Sequence, residues 1–268
     1  MIMKRWRWLL LDLAALALLA AYGWSIQQTR AGAADPVWTE VTRRGVLRAG
    51  TDPGFRPFAE EQNGRWTGYD VELVEEIGRR LGLRVTWHAV SYDALYDTLA
   101  AGQVDLLASA LPLAPEQGWR ARFSSAYLDA GQVLVAQRRG PIRSTASLPG
   151  HIVGAALGSE GDTILRNLAH DDPAIEARSE FETPAALLDS LRAGRIEAAI
   201  VDSISALSLT ETDRRFAIVA SLTFEPYVLA MPVAAYRLQA EVDRVLEELR
   251  SEGFVERLNT RWFGAADR

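Results

Sequence analysis

One αβ segment occurs twice in the chain, and this repeat constrains the fold more than any other feature. Residues 94–109 read ALYDTLAAGQVDLLAS and residues 186–201 read ALLDSLRAGRIEAAIV, an offset of 92 residues (186 − 94). Each copy has leucines at helical spacing and then a glycine, Gly102 or Gly194, suited to the left-handed position that ends a helix. Each then enters an apolar run typical of a buried parallel strand. Two copies predict two similar α/β lobes, since a solenoid would need at least three repeats.

The remaining periodic segments complete both lobes. They predict strands at 45–52, 83–90 and 227–233, a hairpin at Asn63-Gly64, an amphipathic helix at 71–81 and a helical ending at 240–259. The apolar stripe of that ending is formed by Val242, Val245, Leu246 and Leu249. We therefore predict a first lobe from residues 37–136 and 226–268 and a second lobe from residues 137–225. Two crossings between lobes form a natural hinge.

The composition argues against several classes of site. The 268 residues carry a net charge of -6, which does not suit a protein that binds nucleic acid through a basic face. The chain has no Cys, and its three His are far apart in sequence. The sequence therefore predicts no disulfide, no structural zinc site and no cofactor.

The first residues have the pattern of a secretion signal or a membrane anchor. A basic flank, MIMKRWRW, precedes an apolar segment, and Trp8 to Trp24 would span about 25 Å as a helix. Cleavage after Ala33 would remove residues 1–33, whereas retention would leave them as an N-terminal apolar helix in the membrane. The long stretch from Trp24 to Ala33 favours the anchor. Either outcome places the residues after about 34 outside the cytoplasm.

Five segments resemble the type 2 periplasmic solute-binding proteins, specifically family 3, which serves polar amino-acid ABC importers. They are TDPGFRPF (51–58), GYDVELVEEIGRRL (68–81), RFSSAYLDAGQVLV (122–135), IRSTASLPGHIVGAALGSEGD (142–162) and RWFG (261–264). The resemblance implies the periplasmic-binding-protein-like II fold and a ligand in the cleft between lobes. It also implies an amino acid, amine or similar small solute as ligand, and an ABC transporter permease as partner. We expect a monomer, since two lobes are enough for closure.

The resemblance implies eight ligand-binding residues: Asp52, Phe55, Tyr92, Ser109, Ala110, Gln117, Ser159 and Asp202. Phe55 and Tyr92 would stack on the ligand, Asp52 and Asp202 would contact its amino end, and Ser159 would belong to the second lobe's carboxylate-binding turn. Four of these have local structural alternatives. Asp52 suits a turn cap, Tyr92 suits a helix pair with Tyr96, and Ser159 and Asp202 suit helix caps. Phe55 also suits the core.

The loop that follows the first repeat departs from the family pattern. Where the family has a Thr and an Arg for the ligand's α-carboxylate, this chain has Pro112 and Gln117. Proline has neither a hydroxyl nor an N–H, and glutamine makes only a neutral hydrogen bond, which is about half as strong as a charge-assisted one. Arg120 and Arg122 are near in sequence and could replace the missing arginine, as could Arg56, but solvated positions are favoured for all three. With Glu160 beside the second lobe's turn, we predict a neutral or cationic ligand whose carboxylate, if present, is not fully recognised.

Two other functions would suit the same scaffold. A small dehydratase-like enzyme would need an acid or base in the cleft, for which Asp52, Glu160 or Asp202 are candidates. A tethered ligand sensor would need only the cleft and the N-terminal anchor. Because no second group is paired with these carboxylates for proton transfer, we predict a binding protein with no catalytic residues.

Overall fold

The computed structural model describes residues 35–263, and these form two α/β lobes. Residues 1–33, which we predict to be a signal or an anchor, and Gly264 lie outside this range. Within residues 35–263, no helix combines the length and the apolar character needed to span a membrane.

Eight helices and thirteen strands follow one another between residues 35 and 263. The helices are α1 (Pro36–Arg44), α2 (Tyr69–Arg80), α3 (Leu95–Ala100), α4 (Glu160–Asp171), α5 (Pro184–Arg192), α6 (Ser203–Thr212), α7 (Tyr236–Ser251) and α8 (Phe254–Phe263). The strands are β1 (Val46–Thr51), β2 (Glu60–Gln62), β3 (Arg65–Thr67), β4 (Arg84–Ala89), β5 (Leu106–Pro112), β6 (Ala121–Phe123), β7 (Leu128–Asp129), β8 (Gln132–Gln137), β9 (Ile152–Ala156), β10 (Glu176–Phe181), β11 (Ala198–Asp202), β12 (Phe216–Ser221) and β13 (Pro226–Pro232).

Each lobe has its own sheet. The first has the order β4-β1-β5-β13-β6, in which β4, β1 and β5 are parallel and β13 is antiparallel to β5. The second has the order β10-β9-β11-β8-β12, in which β10, β9 and β11 are parallel and β8 is antiparallel to β11. The chain therefore crosses between the sheets before β8 and again before β13.

The repeat predicted from sequence is present as α3–β5 in one lobe and α5–β11 in the other. Gly102 follows α3 with φ 67°, and Gly194 follows α5 with φ 69°, so both glycines have the predicted left-handed backbone. The strand registers are equivalent too, because Leu107 of β5 pairs with Gly50 and Ala199 of β11 pairs with Gly154. The prediction of two similar α/β lobes is confirmed.

The hairpin and the C-terminal helices also follow the sequence patterns. Asn63 and Gly64 both have positive φ, 54° and 78°, as a two-residue turn between β2 and β3 requires. The predicted helical ending is divided into α7 and α8 at Gly253, where φ is 68°. The four residues of the predicted apolar stripe of α7 are fully buried.

The two crossings between the lobes are hydrogen-bonded to each other. Ala130 N–H donates to Glu225 O at 2.8 Å, and Leu222 N–H donates to Gln132 O at 2.8 Å. A Cβ at Gly131 would lie 2.4 Å from Thr223 O, so only glycine permits this close approach. Residues 129–132 and 221–226 thus form one ribbon between the sheets. This ribbon places the first crossing a few residues before the predicted boundary at 136/137, because β8 pairs with strands of the second sheet.

Candidate ligand-binding cleft

Asp52 connects three loops at the carboxyl end of the first sheet. Its Oδ1 accepts Gly54 N–H at 2.8 Å, and its Oδ2 accepts Tyr92 N–H at 3.0 Å. Its own N–H donates to Ser109 Oγ at 3.1 Å. Both carboxylate oxygens therefore already hold backbone groups, as the turn-capping alternative predicts. A contact from Asp52 to a ligand's amino group remains a prediction that would use the second lone pair of an oxygen.

Two aromatic side chains project from these loops into solvent. Phe55 is 44% exposed and Tyr92 is 49% exposed, high values for rings of this size. Phe55 stacks on the fully buried Phe58, with 5.5 Å between ring centroids and 13° between planes. Phe58 thus packs against one face of the Phe55 ring, and the rest of the ring is exposed to solvent. This arrangement suits the predicted stacking role better than the alternative of core packing.

Ser109 and Ala110 lie within β5, before its last two residues, and are almost completely buried. The Ser109 hydroxyl is occupied by Asp52 N–H, so its side chain serves the loop framework. Ala110 has a left-handed backbone with φ 45°, and its N–H donates to Asp70 Oδ2 at 2.7 Å. Neither side chain is open to solvent, so any contact to a ligand from this pair would come from the backbone.

The position of the missing arginine is not refilled by the three candidates. Arg56 is paired with Glu60, and Arg120 with Asp97. Arg122 lies 3.7 Å from the ring centroid of Tyr236, and its Nη1 donates to Gln239 Oε1 at 2.9 Å. All three guanidinium groups thus have partners elsewhere on the first lobe.

Gln117 itself lies half-buried at the end of a 3₁₀ turn, Pro115–Gln117. Its Oε1 is buried and has no hydrogen-bond partner among residues 35–263. An enclosed amide is a poor replacement for a guanidinium that must reach into a cleft. Gln117 therefore presents no charged group at the position where the resemblance implies an arginine.

The second lobe's turn carries a carboxylate of its own. Ser159 caps α4, because its Oγ accepts Asp162 N–H at 3.1 Å. Asp162 Oδ2 in turn accepts Gly158 N–H at 3.0 Å. Arg166 binds both oxygens of Asp162 and holds the pKa of that carboxyl well below its usual range. Protein groups thus occupy two of the N–H donors at a helix N-terminus that would otherwise suit an anion.

Asp202 ends β11 and caps α6, since its Oδ1 accepts Ser205 N–H at 2.8 Å. The capping alternative is therefore realised for Asp202, as it is for Ser159. Its position at the carboxyl end of a strand also brings its charge close to the crossing that precedes β13. There it contributes to raising the pKa values of Glu225 and Tyr227.

Glu225 is the centre of a group of carboxylates drawn from the second lobe and the ribbon. Its pKa is raised, first by partial desolvation and then by repulsion from Glu160, Asp129 and Asp202. Tyr92 adjoins the same group, because Glu225 contributes to raising the pKa of its hydroxyl. Repulsion of this kind acts only over short distances, so the carboxylates of Glu160, Asp129 and Asp202 converge on Glu225.

Apolar side chains border this acidic group. Leu157, directly after β9, is 58% exposed, and Phe224, beside Glu225, is 72% exposed. With Phe55 and Tyr92 they supply apolar surface from the first lobe, the second lobe and the ribbon. The cleft therefore combines negative charge with exposed apolar surface.

A depression elsewhere on the second lobe has the opposite charge. A cavity of about 650 Å³ lies at the amino end of β11, away from Asp202, and is lined by Arg138, Arg139, Arg192, Arg214 and Arg215 over Leu191 and Phe216. None of the eight predicted ligand residues lines it. We therefore assign the candidate site to the cleft and not to this cavity.

Sequence reasoning missed Glu225, Asp129 and Asp70. Glu225 and Asp129 lie on the crossings, where no helix or strand pattern indicates which way a side chain points. Asp70 lies inside a helix pattern, where an acidic residue is typical of an exposed face. The only available signal for Glu225 was its place in TFEP, directly before the strand that returns to the first lobe.

Comparison with known proteins finds one family model that matches most of the chain, and relatives with similar names. The family model for bacterial extracellular solute-binding proteins, family 3, matches residues 47–265. The L-cystine-binding protein TcyJ of Escherichia coli (strain K12) is 26% identical over 261 residues, which cover 96% of this chain and 95% of TcyJ.

Two solved structures are also similar. An ancestral cationic amino acid solute-binding protein, AncCDT-1, is 27% identical with a TM-score of 0.61, covering 84% of this chain and 98% of its own. An ancestral cyclohexadienyl dehydratase, AncCDT-3, has a TM-score of 0.73 at 20% identity, covering 87% of this chain and 98% of its own. At that identity the second likeness shows the fold alone.

Proposed function

The chain belongs to the bacterial extracellular solute-binding proteins of family 3, and we propose that it binds a small organic cation in the cleft between its lobes and delivers it to an ABC importer. The ligand is an amine or a cationic amino acid whose amino or guanidino group is recognised more strongly than its carboxylate. The eight residues predicted from sequence, together with Glu225, line the proposed site.

The convergence of carboxylates on Glu225 carries this proposal. Repulsion from Glu160, Asp129 and Asp202 raises the pKa of Glu225, so the charged form of Glu225 is poorly stabilised in the empty cleft. A ligand with a positive charge removes that repulsion and gains charge-assisted hydrogen bonds, each worth about 1.5–3 kcal/mol. A ligand with an anionic group adds to the repulsion. The relation to AncCDT-1, which is named for cationic amino acids, supports the same ligand class.

The cleft has few groups that could bind the α-carboxylate of a zwitterionic ligand. Pro112 and Gln117 stand where the family's Thr and Arg would be, and Arg56, Arg120 and Arg122 are engaged elsewhere. The second lobe's turn already holds Asp162. The exposed rings of Phe55 and Tyr92 suit the body of the ligand, since aromatic faces also attract cations.

A matched pair of ligands tests this directly. L-arginine and agmatine carry the same guanidino and amino groups and differ only by the α-carboxylate. Isothermal titration of the purified full chain should give dissociation constants for the two within about tenfold, because one charge-assisted contact is worth little more than that here. L-glutamine serves as the neutral control and should bind at least about tenfold more weakly. Agmatine binding more than a hundredfold more weakly than L-arginine would overturn the proposal, as would binding of L-glutamine alone.

Variants test the part played by the acidic group. Glu225→Gln should weaken agmatine binding by about tenfold to a hundredfold, the range of one charge-assisted hydrogen bond. Glu247→Gln is the matched control, because Glu247 is paired with Arg250 on the surface of α7. That variant should leave agmatine binding unchanged. Equal effects of both variants would show that net charge, and not the cleft, is responsible.

The proposed function also implies where the protein acts and which protein it binds. The protein acts outside the cytoplasm as a monomer, and its closed form is recognised by the permease of an ABC importer. The N-terminal segment, residues 1–33, serves as a signal or holds the protein at the membrane surface. Genes for a permease and an ATPase beside this gene would support import, whereas a tethered sensor would lack them.

The alternative from another class is a small enzyme on the same scaffold. The observation that favours it is Glu225, a cleft carboxyl with a raised pKa, which is a common property of general acids. Mass spectrometry of the ligand released from purified protein separates the two. Recovery of an unchanged ligand after prolonged incubation supports the binding protein, and its conversion supports the enzyme.

A further inference from the structure

Asp70 is a completely buried carboxyl that none of the contacts described above explains. It is the second residue of α2 and has no exposed surface. Its own N–H donates to Phe58 O at 3.0 Å, and its Oδ2 accepts Ala110 N–H at 2.7 Å. Its Oδ1 has no hydrogen-bond partner among residues 35–263. A carboxylate is costly to bury without full hydrogen bonding, so an apolar residue would be cheaper unless the site serves another purpose.

The two contacts of Asp70 reach two parts of the first lobe that contain predicted ligand residues. Its backbone N–H holds Phe58, which supports the exposed ring of Phe55 by stacking on it. Its side chain holds Ala110, which lies within β5 directly before Leu111 and Pro112. Asp70 thus joins the loop that follows β1 to strand β5, although Phe58 and Ala110 are more than fifty residues apart in sequence.

Ala110 also needs an external partner to keep its conformation. Its φ of 45° is left-handed, which costs an alanine roughly 1–2 kcal/mol. The pairing of β5 with β13 shifts register between Val228 and Ala230, so the strand bulges at this point. At a bulge one residue is left out of the ladder, and its N–H must be satisfied elsewhere. Asp70 accepts that N–H.

We propose that the Asp70 side chain is a positioning group for ligand binding, which fixes the β5 bulge at Ala110 relative to the start of α2, where the Phe55–Phe58 loop is bonded, and makes the position of Ala110 depend on its own protonation. The proposal rests on these segments lining the ligand site, as in the proposed function. The ionised carboxylate accepts Ala110 N–H strongly, and the protonated form does so less well.

The protonation of Asp70 changes near neutral pH. Burial raises its pKa to about 7, against the lowering effects of Ala110 N–H and, less strongly, of the Tyr127 hydroxyl. The titratable groups around it are Tyr69 of α2, Tyr127 before β7 and Tyr227 of β13, with Glu256 and Arg250 acting on Tyr69. All three tyrosines have raised pKa values and stay neutral, so Asp70 is the group among them that titrates between pH 6 and 8.

The Ala110 amide resonance of the ¹⁵N-labelled full chain, without ligand, tests this. In the wild type it should move with pH, with a midpoint near 7. Asp70→Asn should abolish that titration and keep the amide protected, because the Asn Oδ1 still accepts the N–H. Asp70→Ala should speed its hydrogen exchange at least about tenfold and leave Ile152, in the other lobe, unchanged.

Agmatine binding supplies the functional readout. At pH 8 Asp70→Asn should keep its affinity within about threefold, whereas Asp70→Ala should lose about tenfold or more, the worth of one hydrogen bond to a charged group. A titration of Ala110 that persists in Asp70→Asn, or unchanged exchange and affinity in Asp70→Ala, would overturn the proposal. If Asp70→Ala does not fold, the proposal is decided by whether the Ala110 amide still titrates in Asp70→Asn. A chain that binds no organic cation would defeat the proposed function and leave the Ala110 result standing, since that result needs no ligand.

Discussion

Asp105 in the first lobe and Glu197 in the second occupy equivalent positions, each directly before the strand of its αβ unit. Asp105 accepts Arg48 N–H of β1 at 2.9 Å, and Glu197 accepts Ile152 N–H of β9 at 3.0 Å. Each carboxylate thus joins the start of its own strand to the neighbouring parallel strand. The two copies share this contact although their residue types differ.

Their surroundings differ in burial and charge. Asp105 is 4% exposed and also binds the guanidinium groups of Arg44 and Arg48. The Glu197 side chain is 47% exposed and faces only His151, 3.1 Å away. The comparison teaches that the repeat conserves the geometry of a backbone contact, while the energy of that contact depends on what surrounds it.

The two αβ units also differ at the carboxyl ends of their strands, which lie beside the proposed ligand site. The first copy ends at Ala110, which is buried and held through its backbone. The second ends at Asp202, which keeps a charged side chain near Glu225. In the proposed site the first lobe would thus supply aromatic surface and backbone groups, and the second lobe would supply negative charge.

Asp105→Ala should produce the largest difference between the lobes. We expect a loss of about 3 kcal/mol in the free energy of unfolding, because the change leaves a strand N–H without its acceptor and two arginines without their carboxylate. Urea unfolding of the full chain, followed by circular dichroism, measures this. Asp105→Asn should lose less, since its amide oxygen can still accept Arg48 N–H. A loss below about 1 kcal/mol for Asp105→Ala would mean that the two positions are energetically equivalent after all.

Gly154→Ala should have the next largest effect and sharpens the comparison of the two sheets. A Cβ at Gly154 would lie 2.6 Å from Ile196 Cδ1 and 2.7 Å from Leu187 Cδ1, so buried side chains would have to move. Overpacking of this kind costs about 1–3 kcal/mol. The equivalent Gly50→Ala is the control, because its nearest atom would be Leu107 Cδ2 at 3.1 Å. Equal losses in urea unfolding for both variants would contradict the difference in packing seen between β1 and β9.

Glu197→Ala should have the smallest effect, about 0.5–1 kcal/mol, because its contacts are exposed to solvent. The Ile152 N–H is the main cause that lowers the pKa of Glu197 below its ordinary value of 4.5. A lowered carboxyl pKa stabilises the fold above the unfolded value, and this contribution is lost as the pH falls through the folded value. The difference between wild type and variant should therefore be present at pH 7 and should shrink below about pH 4.5. Unfolding curves at pH 7 and pH 3.5 check this, and a difference that grows in acid would refute it.

Much of the fold was predictable because it depends on local patterns. The repeat, the glycines that end its helices, the Asn63-Gly64 turn and the apolar stripe of α7 are each written in a short stretch of sequence. The structure confirmed each of these predicted elements. The same locality explains why the capping roles of Ser159 and Asp202 were foreseeable, since a cap involves residues three positions apart.

The parts of the site that could not be predicted depend on long-range geometry. The sequence did not indicate that Arg120 pairs with Asp97 or that Arg122 lies over Tyr236, because side-chain direction on a loop has no period. The left-handed backbone of Ala110 follows from a register shift against β13, which is more than a hundred residues away. Loop residues near a cleft can therefore be named from sequence, whereas their partners require coordinates.

The ribbon formed by the two crossings separates selectivity from closure. Because the crossings are bonded to each other, a rotation of one lobe against the other would have its axis close to this ribbon, and groups near an axis travel least. Glu225 lies on the ribbon, so its attraction for the proposed cationic ligand would be nearly the same before and after such a rotation. A contact of equal strength in two states cannot shift the balance between them. Glu225 would thus determine which ligand binds. Groups farther from the axis, Phe55 and Ser159 among them, would gain contacts with the ligand on closure and so favour the closed state.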